Sequence, residues 1–358
     1  MFLVTFHGGK DGTQQVYSYA NDGTGGVPYL TQATPSGKNG FRDLQFLPFE
    51  RGGLFYLVNS SKEASEVFQI EPDATSVPPP FVNGVGGMGT GPELCSVYHP
   101  FSIALDQAMT VCYISCQDSN IVVRVGGPSS TNPGQPLDIN PSLPQPSKDE
   151  AYLPGTFVAS QIPLVPAACN WPDKQTPPAV KSHDGGLNAS PTDLKPDETP
   201  DNSVRGVALL GHNLDVADEV DNCIRTYDVE TGAYEGKLAD PNGLVSSPTH
   251  LLVSGPDLYV SVKPHKGNAD AAVLQYSVAG AQTLSAQISN SDDLNVEAPA
   301  GMTFDGNGNF YLADRTARVV YKFDSDWNLA KGNPFIADMP DDPEFILWVN
   351  DDWLPGAS

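Results

Sequence analysis

The chain has 358 residues, 39% hydrophobic and only 17% charged, with 34 glycines and 33 prolines; that balance belongs to many short strands joined by turns and excludes a helical or wholly disordered protein. Nineteen Lys and Arg against 43 Asp and Glu give a net charge of -24, which repels nucleic acid and anionic lipid, so neither is expected as a partner. No run approaches the roughly 18 consecutive apolar residues of a membrane span.

The predicted elements form a repeat of about 45 residues, in which a turn leads into a β run, a Gly/Asp-rich hairpin, a second run ending near Asp or Asn, and a third run. Met1–Phe6 reads as a second strand, Gln15–Tyr19 as a third and Val27–Leu30 as a fourth, with no first strand before them. Arg42–Phe46, Leu54–Asn59 and Glu66–Ile70 make the next unit. Pro100–Asp106, Val111–Ser115 and Asn120–Val125 make a third, with Thr156–Leu164 read as its fourth strand. Val204–Gly211, His212–Asp218 and Cys223–Asp228 follow, then Pro248–Val253, Leu258–Ser261 and Val273–Val278. The sixth unit runs through Pro299–Asp314, Arg318–Asp324 and Asn333–Ala337, and Pro343–Asn350 repeats the first-strand phrase near the end of the sequence.

The missing first strand of the opening unit therefore lies at the other end. We expect an all-β chain, a six-bladed β-propeller of four-stranded antiparallel blades, with the C-terminal strand pairing with the N-terminal strands so that no sheet edge is left open. Residues 1–358 are read as a single propeller domain. Residues 128–203, rich in Pro, Ser, Asn and Asp, are read as an insertion between the third and fourth blades, and a seventh blade hidden there is the alternative count.

Phrases such as Pro299-Ala-Gly-Met and Phe310-Tyr-Leu-Ala-Asp314 resemble those of the NHL-repeat-like and SMP-30-like six-bladed propellers. That resemblance implies architecture more than activity, because such propellers serve as lyases, lactonases and passive binding modules alike. A lactonase of this kind carries Glu, Asn, Asn and Asp around its channel, and only Glu344 stands at a matching kind of position here.

First strands line a propeller's channel, so their alignment shows what converges there. At the Gly position of the Pro-x-Gly phrase stand Phe345, Asp43, Ser102, Gly206, His250 and Gly301; one residue earlier stand Glu344, Arg42, Phe101, Arg205, Thr249 and Ala300. Loops after the second strands add His7, Asp118, Asp218, His265 and Asp314 to the same face. His7, His99, His250 and Glu344 are the candidate ligands of one divalent ion (Zn, Ca or Mg), since imidazole and carboxylate from different blades can meet at the axis. In that reading His250, His99 and Glu344 carry catalysis, the ion polarising a carbonyl while a histidine acts as base in hydrolase or lyase chemistry. Arg42 and Arg205, with Asp43, are the candidate substrate-binding residues, because paired guanidiniums suit a carboxylate. The competing expectation is a binding or scaffold propeller that recognises a sugar, peptide or protein and turns nothing over; each histidine is then a satisfied polar group and each arginine a structural partner of Asp43 or Glu344.

Other signals are weaker. Gly84–Gly89 fits GxGxxG without the strand-to-helix context of phosphate binding, and no nucleotide cofactor is expected. Asp305–Asn309 begins like a calcium loop but places Phe310 where Gly is needed. The five cysteines read as small buried residues, with a Cys112/Cys116 metal pair, or one or two disulfides, as alternatives. The sequons at Asn59 and Asn188 lean toward an extracellular, secreted location, with the cytoplasm as the alternative.

Overall fold

The computed structural model describes residues 1–6, 15–30, 39–47, 53–73, 77–89, 94, 97–117, 121–135, 137, 204–230, 234–264, 270–277, 283–291 and 293–354. Strands β1 (Phe2–Phe6), β2 (Val16–Tyr19) and β3 (Val27–Pro28) form the first blade together with β22 (Pro343–Trp348), which pairs antiparallel with β1. The second blade is β4 (Phe41–Leu47), β5 (Leu54–Ser61), β6 (Ala64–Ile70) and β7 (Val82–Asn83). The third is β8 (Pro100–Leu105), β9 (Val111–Cys116) and β10 (Ile121–Gly126). The fourth is β11 (Val204–Leu210), β12 (Asn213–Asp218), β13 (Cys223–Asp228) and β14 (Tyr234–Lys237). The fifth is β15 (Pro248–Ser254), β16 (Asp257–Val262), β17 (Ala272–Ser277) and β18 (Thr283–Ser289), and the sixth is β19 (Pro299–Phe304), β20 (Phe310–Asp314) and β21 (Val319–Phe323).

These are six blades of a closed ring. Each innermost strand lies against the next, from β22 through β4, β8, β11, β15 and β19 and back to β22. Because β8 packs directly on β11, no seventh blade stands between the third and fourth. The predicted strand Thr156–Leu164 lies outside the described residues. The outer edge of β10 is instead lined by Gln135 and Leu137, through Gly126 N–H to Gln135 O at 2.8 Å and Leu137 N–H to Arg124 O at 3.1 Å. Asn333–Ala337, expected as a strand, forms no ladder with β21 but an isolated Val320–Ile336 bridge, with Phe335 N–H also bonding Val320 O at 2.8 Å. Asn333 holds it there, its side chain bonding both Lys322 N–H at 2.7 Å and Lys322 O at 3.0 Å.

The core is divided into six apolar clusters, one between each neighbouring pair of blades. Phe2, Val4 and Phe6 meet Tyr311 and Val320 between blades one and six, while Leu3, Leu44, Phe55 and Phe345 meet between blades one and two. Second strands such as β5 and β20 are buried on both faces, so they read as near-continuous apolar runs rather than as alternation. The Asp305 hairpin is self-contained. Asp305 Oδ1 accepts from Asn307 N–H and Asn309 N–H at 2.8 and 3.0 Å, and Oδ2 accepts from Asn309 Nδ2 and the Tyr311 hydroxyl.

Candidate functional site

Each innermost strand slips by one residue near its start relative to the second strand. The slip falls between Phe41 and Leu44, Pro100 and Ser102, Val204 and Val207, Pro248 and Leu251, Pro299 and Met302, and Pro343 and Phe345. A bulge re-aims side chains and removes backbone groups from the ladder, and second-strand serines satisfy some of them: Ser115 Oγ accepts from Ser102 N–H and Ser261 Oγ from His250 N–H, each at 3.0 Å. The bulge residues are the ones the sequence alignment placed on the channel. Glycine is required at two of them, since a Cβ on Gly301 would stand 2.5 Å from Phe345 Cα and one on Gly206 would stand 2.8 Å from Thr249 O.

Two charged clusters meet at this end of the channel. In the first, Glu344 is fully buried, with Oε2 at 3.0 Å from Arg42 Nη1 and 3.2 Å from Arg315 Nε. Arg42 Nε also donates to Ser60 Oγ at 3.0 Å. Burial lowers the Arg42 pKa from its ordinary value, and the Glu344 charge opposes that shift. In the second cluster Glu219 bridges two blades: it pairs with Arg205 and accepts from Lys263 Nζ at 2.6 Å. Burial raises the Glu219 pKa, but Arg205 and Lys263 outweigh it and hold the carboxyl below its usual range. Phe101 links the clusters, with Arg42 Cζ 5.5 Å and Arg205 Cζ 5.6 Å from its ring centroid.

The predicted residues divide between this mouth and the wall behind it. His250 lies behind Phe101, at 5.1 Å between ring centroids, with Nε2 at 4.0 Å from Glu344 Oε1. Burial pushes its pKa down to about 3 against the pull of Glu344, so the imidazole is neutral. His99 faces Gln117, whose amide nitrogen is 2.7 Å from His99 Nδ1, and Gln117 Oε1 in turn faces Arg205 Nη1 at 3.5 Å. Asp43 turns away from the channel into the seam between blades two and three. Its Oδ2 accepts from Ser102 Oγ at 2.6 Å and Ile103 N–H at 2.8 Å, and Oδ1 from Gln45 at 3.0 Å. His7, Asp118 and His265 lie outside the described residues.

The described members of the predicted metal set do not fit a divalent ion. Glu344 already serves two guanidiniums, and Arg42, Arg315 and Lys263 all stand close enough to His250 to disfavour further positive charge. Among the described residues, the His/Cys/Asp/Glu group whose ligand atoms all lie within 4.8 Å of one another is Asp218, Asp221 and Cys223. Arg225 occupies it, with Nε 2.7 Å from Asp218 Oδ2 and Nη2 on Asp221. Burial also pushes the Cys223 thiol up to about 11. Cys112 and Cys116 are likewise buried, within the apolar cluster between blades two and three.

Gln117, Glu219, Lys263 and Arg315 were not among the sequence candidates. The strand register explains where they come from. The first residues of β8, β11, β15 and β19 pair with Cys116, Asp218, Val262 and Asp314, and each of the four is the next residue along. The signal was present as the position after the second-strand terminus, but its residue types differ in every blade and so form no motif.

No protein-family model and no curated protein matches the chain. Solved structures do. A chain of the nidogen/laminin complex is 11% identical over 96% of both chains, with a TM-score of 0.55. A Lactobacillus plantarum protein is 11% identical over 98% of this chain and 99% of that one, with a TM-score of 0.51. A Bacteroides uniformis protein bearing a provisional 6-phosphogluconolactonase name is 14% identical over 97% and 98%, with a TM-score of 0.49. The likeness is one of fold. It assigns no activity.

Proposed function

We propose that this propeller is a binding protein whose channel mouth takes a small carboxylate-bearing molecule. The observation that carries this reading is the pair of guanidiniums, Arg42 and Arg205, brought from different blades to one aromatic ring, Phe101. Around them Arg315 shares Glu344 with Arg42, and Lys263 shares Glu219 with Arg205. Partly buried guanidiniums make strong charge-assisted bonds to carboxylates.

Calorimetric titration of the purified protein with small mono- and dicarboxylates tests the proposal. Binding that weakens with salt and falls roughly tenfold in Arg205→Gln is expected, each lost charge-assisted bond being worth about 1.5 kcal/mol or more. Affinity unchanged in Arg205→Gln would sink it.

A second reading adds turnover at the same place. His250 Nδ1 is buried without a hydrogen-bond partner among the described residues, and its neutral ring beside Glu344 can accept a hydrogen bond that orients a water or substrate hydroxyl in hydrolase or lyase chemistry without a metal. Turnover of a carboxylate-bearing lactone or ester that vanishes in His250→Ala while ligand binding persists would establish it.

A further inference from the structure

The sequon Asn59-Ser60-Ser61 ordinarily marks a surface loop whose asparagine amide can carry a glycan. Here it ends the strand β5, with Asn59 laddered between Phe41 of β4 and Glu66 of β6. Asn59 is 0% exposed.

Both polar atoms of its side chain are engaged. Oδ1 accepts from Gly40 N–H at 2.8 Å and from Ser61 N–H at 3.4 Å, while Nδ2 donates to Ala64 O at 3.0 Å and to Glu66 Oε2 at 3.2 Å. The two amide hydrogens are thus used inside the blade, one of them on a carboxylate that is itself 0% exposed. Glu66 Oε1 in turn accepts from Met88 N–H at 2.8 Å, so Asn59 and Glu66 together tie the two hairpins of the blade to the loop that follows it. The position is sealed around the ring. Strand register makes Asn59 the blade-two counterpart of Cys116, Asp218, Val262 and Asp314, each paired with the first residue of its inner strand, and all four are also 0% exposed.

A glycan on Nδ2 replaces one of the two amide hydrogens with a sugar ring. One bond, to Ala64 or to Glu66, is then lost, and a polar body larger than the side chain that bears it has to enter a closed region where polar groups without partners are costly. We infer that Asn59 is a structural bracket that the native protein keeps bare, so that N-glycosylation of this sequon and folding of the second blade exclude each other. A chain glycosylated there before it folds stops short of the native state, and this triplet lends no support to passage through a glycosylating secretory route. The effect reaches the channel mouth, because Ser60 Oγ, the next residue, donates to Gly40 O at 2.8 Å and accepts from Arg42 Nε at 3.0 Å.

The test is expression behind a signal peptide in a eukaryotic host that N-glycosylates, with Ser190→Ala in every version so that the Asn188 sequon is removed. The chain with Asn59-Ser60-Ser61 intact is compared with Ser61→Ala, which destroys the triplet and leaves Asn59 in place. Limited proteolysis separates folded from unfolded chains, and mass spectrometry reads occupancy at Asn59 in the resistant and digested fractions. Glycan confined to digested chains is expected, with Ser61→Ala restoring resistance to that of protein made without glycosylation. A glycan at Asn59 on resistant chains would overturn the inference, as would a Ser61→Ala protein no more resistant than the glycosylated chains. A second measurement holds even where the host skips the sequon: in protein made without glycosylation, Asn59→Gln should lower the urea midpoint and Ser61→Ala should leave it nearly unchanged. An unchanged midpoint in Asn59→Gln would show that the site tolerates a larger amide and would remove the bracket.

Discussion

Arg42 Nη1 lies 3.0 Å from Glu344 Oε2, with the carboxylate side chain fully buried and the guanidinium only 9% exposed. This pair joins β4 to β22 and thereby ties the second blade to the strand that closes the ring.

Breaking such a pair from one side leaves a buried charge without its partner. Arg42→Ala is expected to lower unfolding stability by about 3–5 kcal/mol, while the double change Arg42→Leu with Glu344→Leu should cost markedly less than Arg42→Ala. Urea denaturation of both variants checks this, and a double variant as unstable as Arg42→Ala would refute it.

Asp43 links stability to pH. Burial raises its pKa from 3.8 to about 6, against the hydrogen bonds from Ser102, Ile103 and Gln45 that favour the ionised form. Because the folded-state value lies above the unfolded one, the native protein binds more protons between those two values, and stability falls as pH rises through that window. The preference is fully present below pH 3.8 and lost above about pH 6, an effect of about 3 kcal/mol in order of magnitude. Asp43→Asn should flatten this part of the pH–stability curve relative to wild type. Identical urea midpoint slopes in the two proteins across pH 4 to 6 would contradict the assignment.

Gly301 is placed where β19 runs against β22. A methyl group there meets Phe345 Cα at 2.5 Å and Ile346 N at 2.6 Å, both backbone atoms that cannot rotate away. Gly301→Ala is expected to destabilise by about 1–3 kcal/mol. Gly255→Ala makes a useful contrast, since it meets no atom within 4 Å but sits at φ +59, so its loss is conformational and should be about 1 kcal/mol. Thermal melts of the two variants separate crowding from backbone strain.

The charges around Glu344 predict that the purified protein holds no stoichiometric divalent ion at the channel mouth. Elemental analysis after incubation with Zn, Ca and Mg salts checks this. One equivalent of metal lost together in His250→Ala and His99→Ala would restore the metal-centre reading and the lyase or hydrolase mechanism attached to it.

Much of the architecture follows from local chemistry that is visible in the linear chain. The Pro-x-Gly phrase at Pro299 and the double-faced apolar run Phe310–Asp314 mark an inner strand and its neighbour because the pleat and blade packing constrain each residue type directly. The sequence also located Pro343–Trp348 as the partner of Phe2–Phe6, since a strand without a sheet has to find one. It also marked the start of each inner strand, where the one-residue slips fall, because equivalent positions of a repeat occupy equivalent places in a ring.

What those side chains do to one another was decided only by the tertiary structure. Arg42 and Asp43 are adjacent in the chain, yet one pairs with Glu344 of the neighbouring blade and the other is turned into the seam with Ser102, a division set by the one-residue slip between β4 and β5. Glu219, Lys263 and Arg315 share no motif, and the pairing of Glu219 with Lys263 and of Arg315 with Glu344 arises because different blades deliver the partners to one mouth. Charge balance between groups distant in sequence depends on distances and burial, which a linear pattern does not encode; the fold is written in short-range periodicity, and the chemistry of this site is written in the closure of the ring.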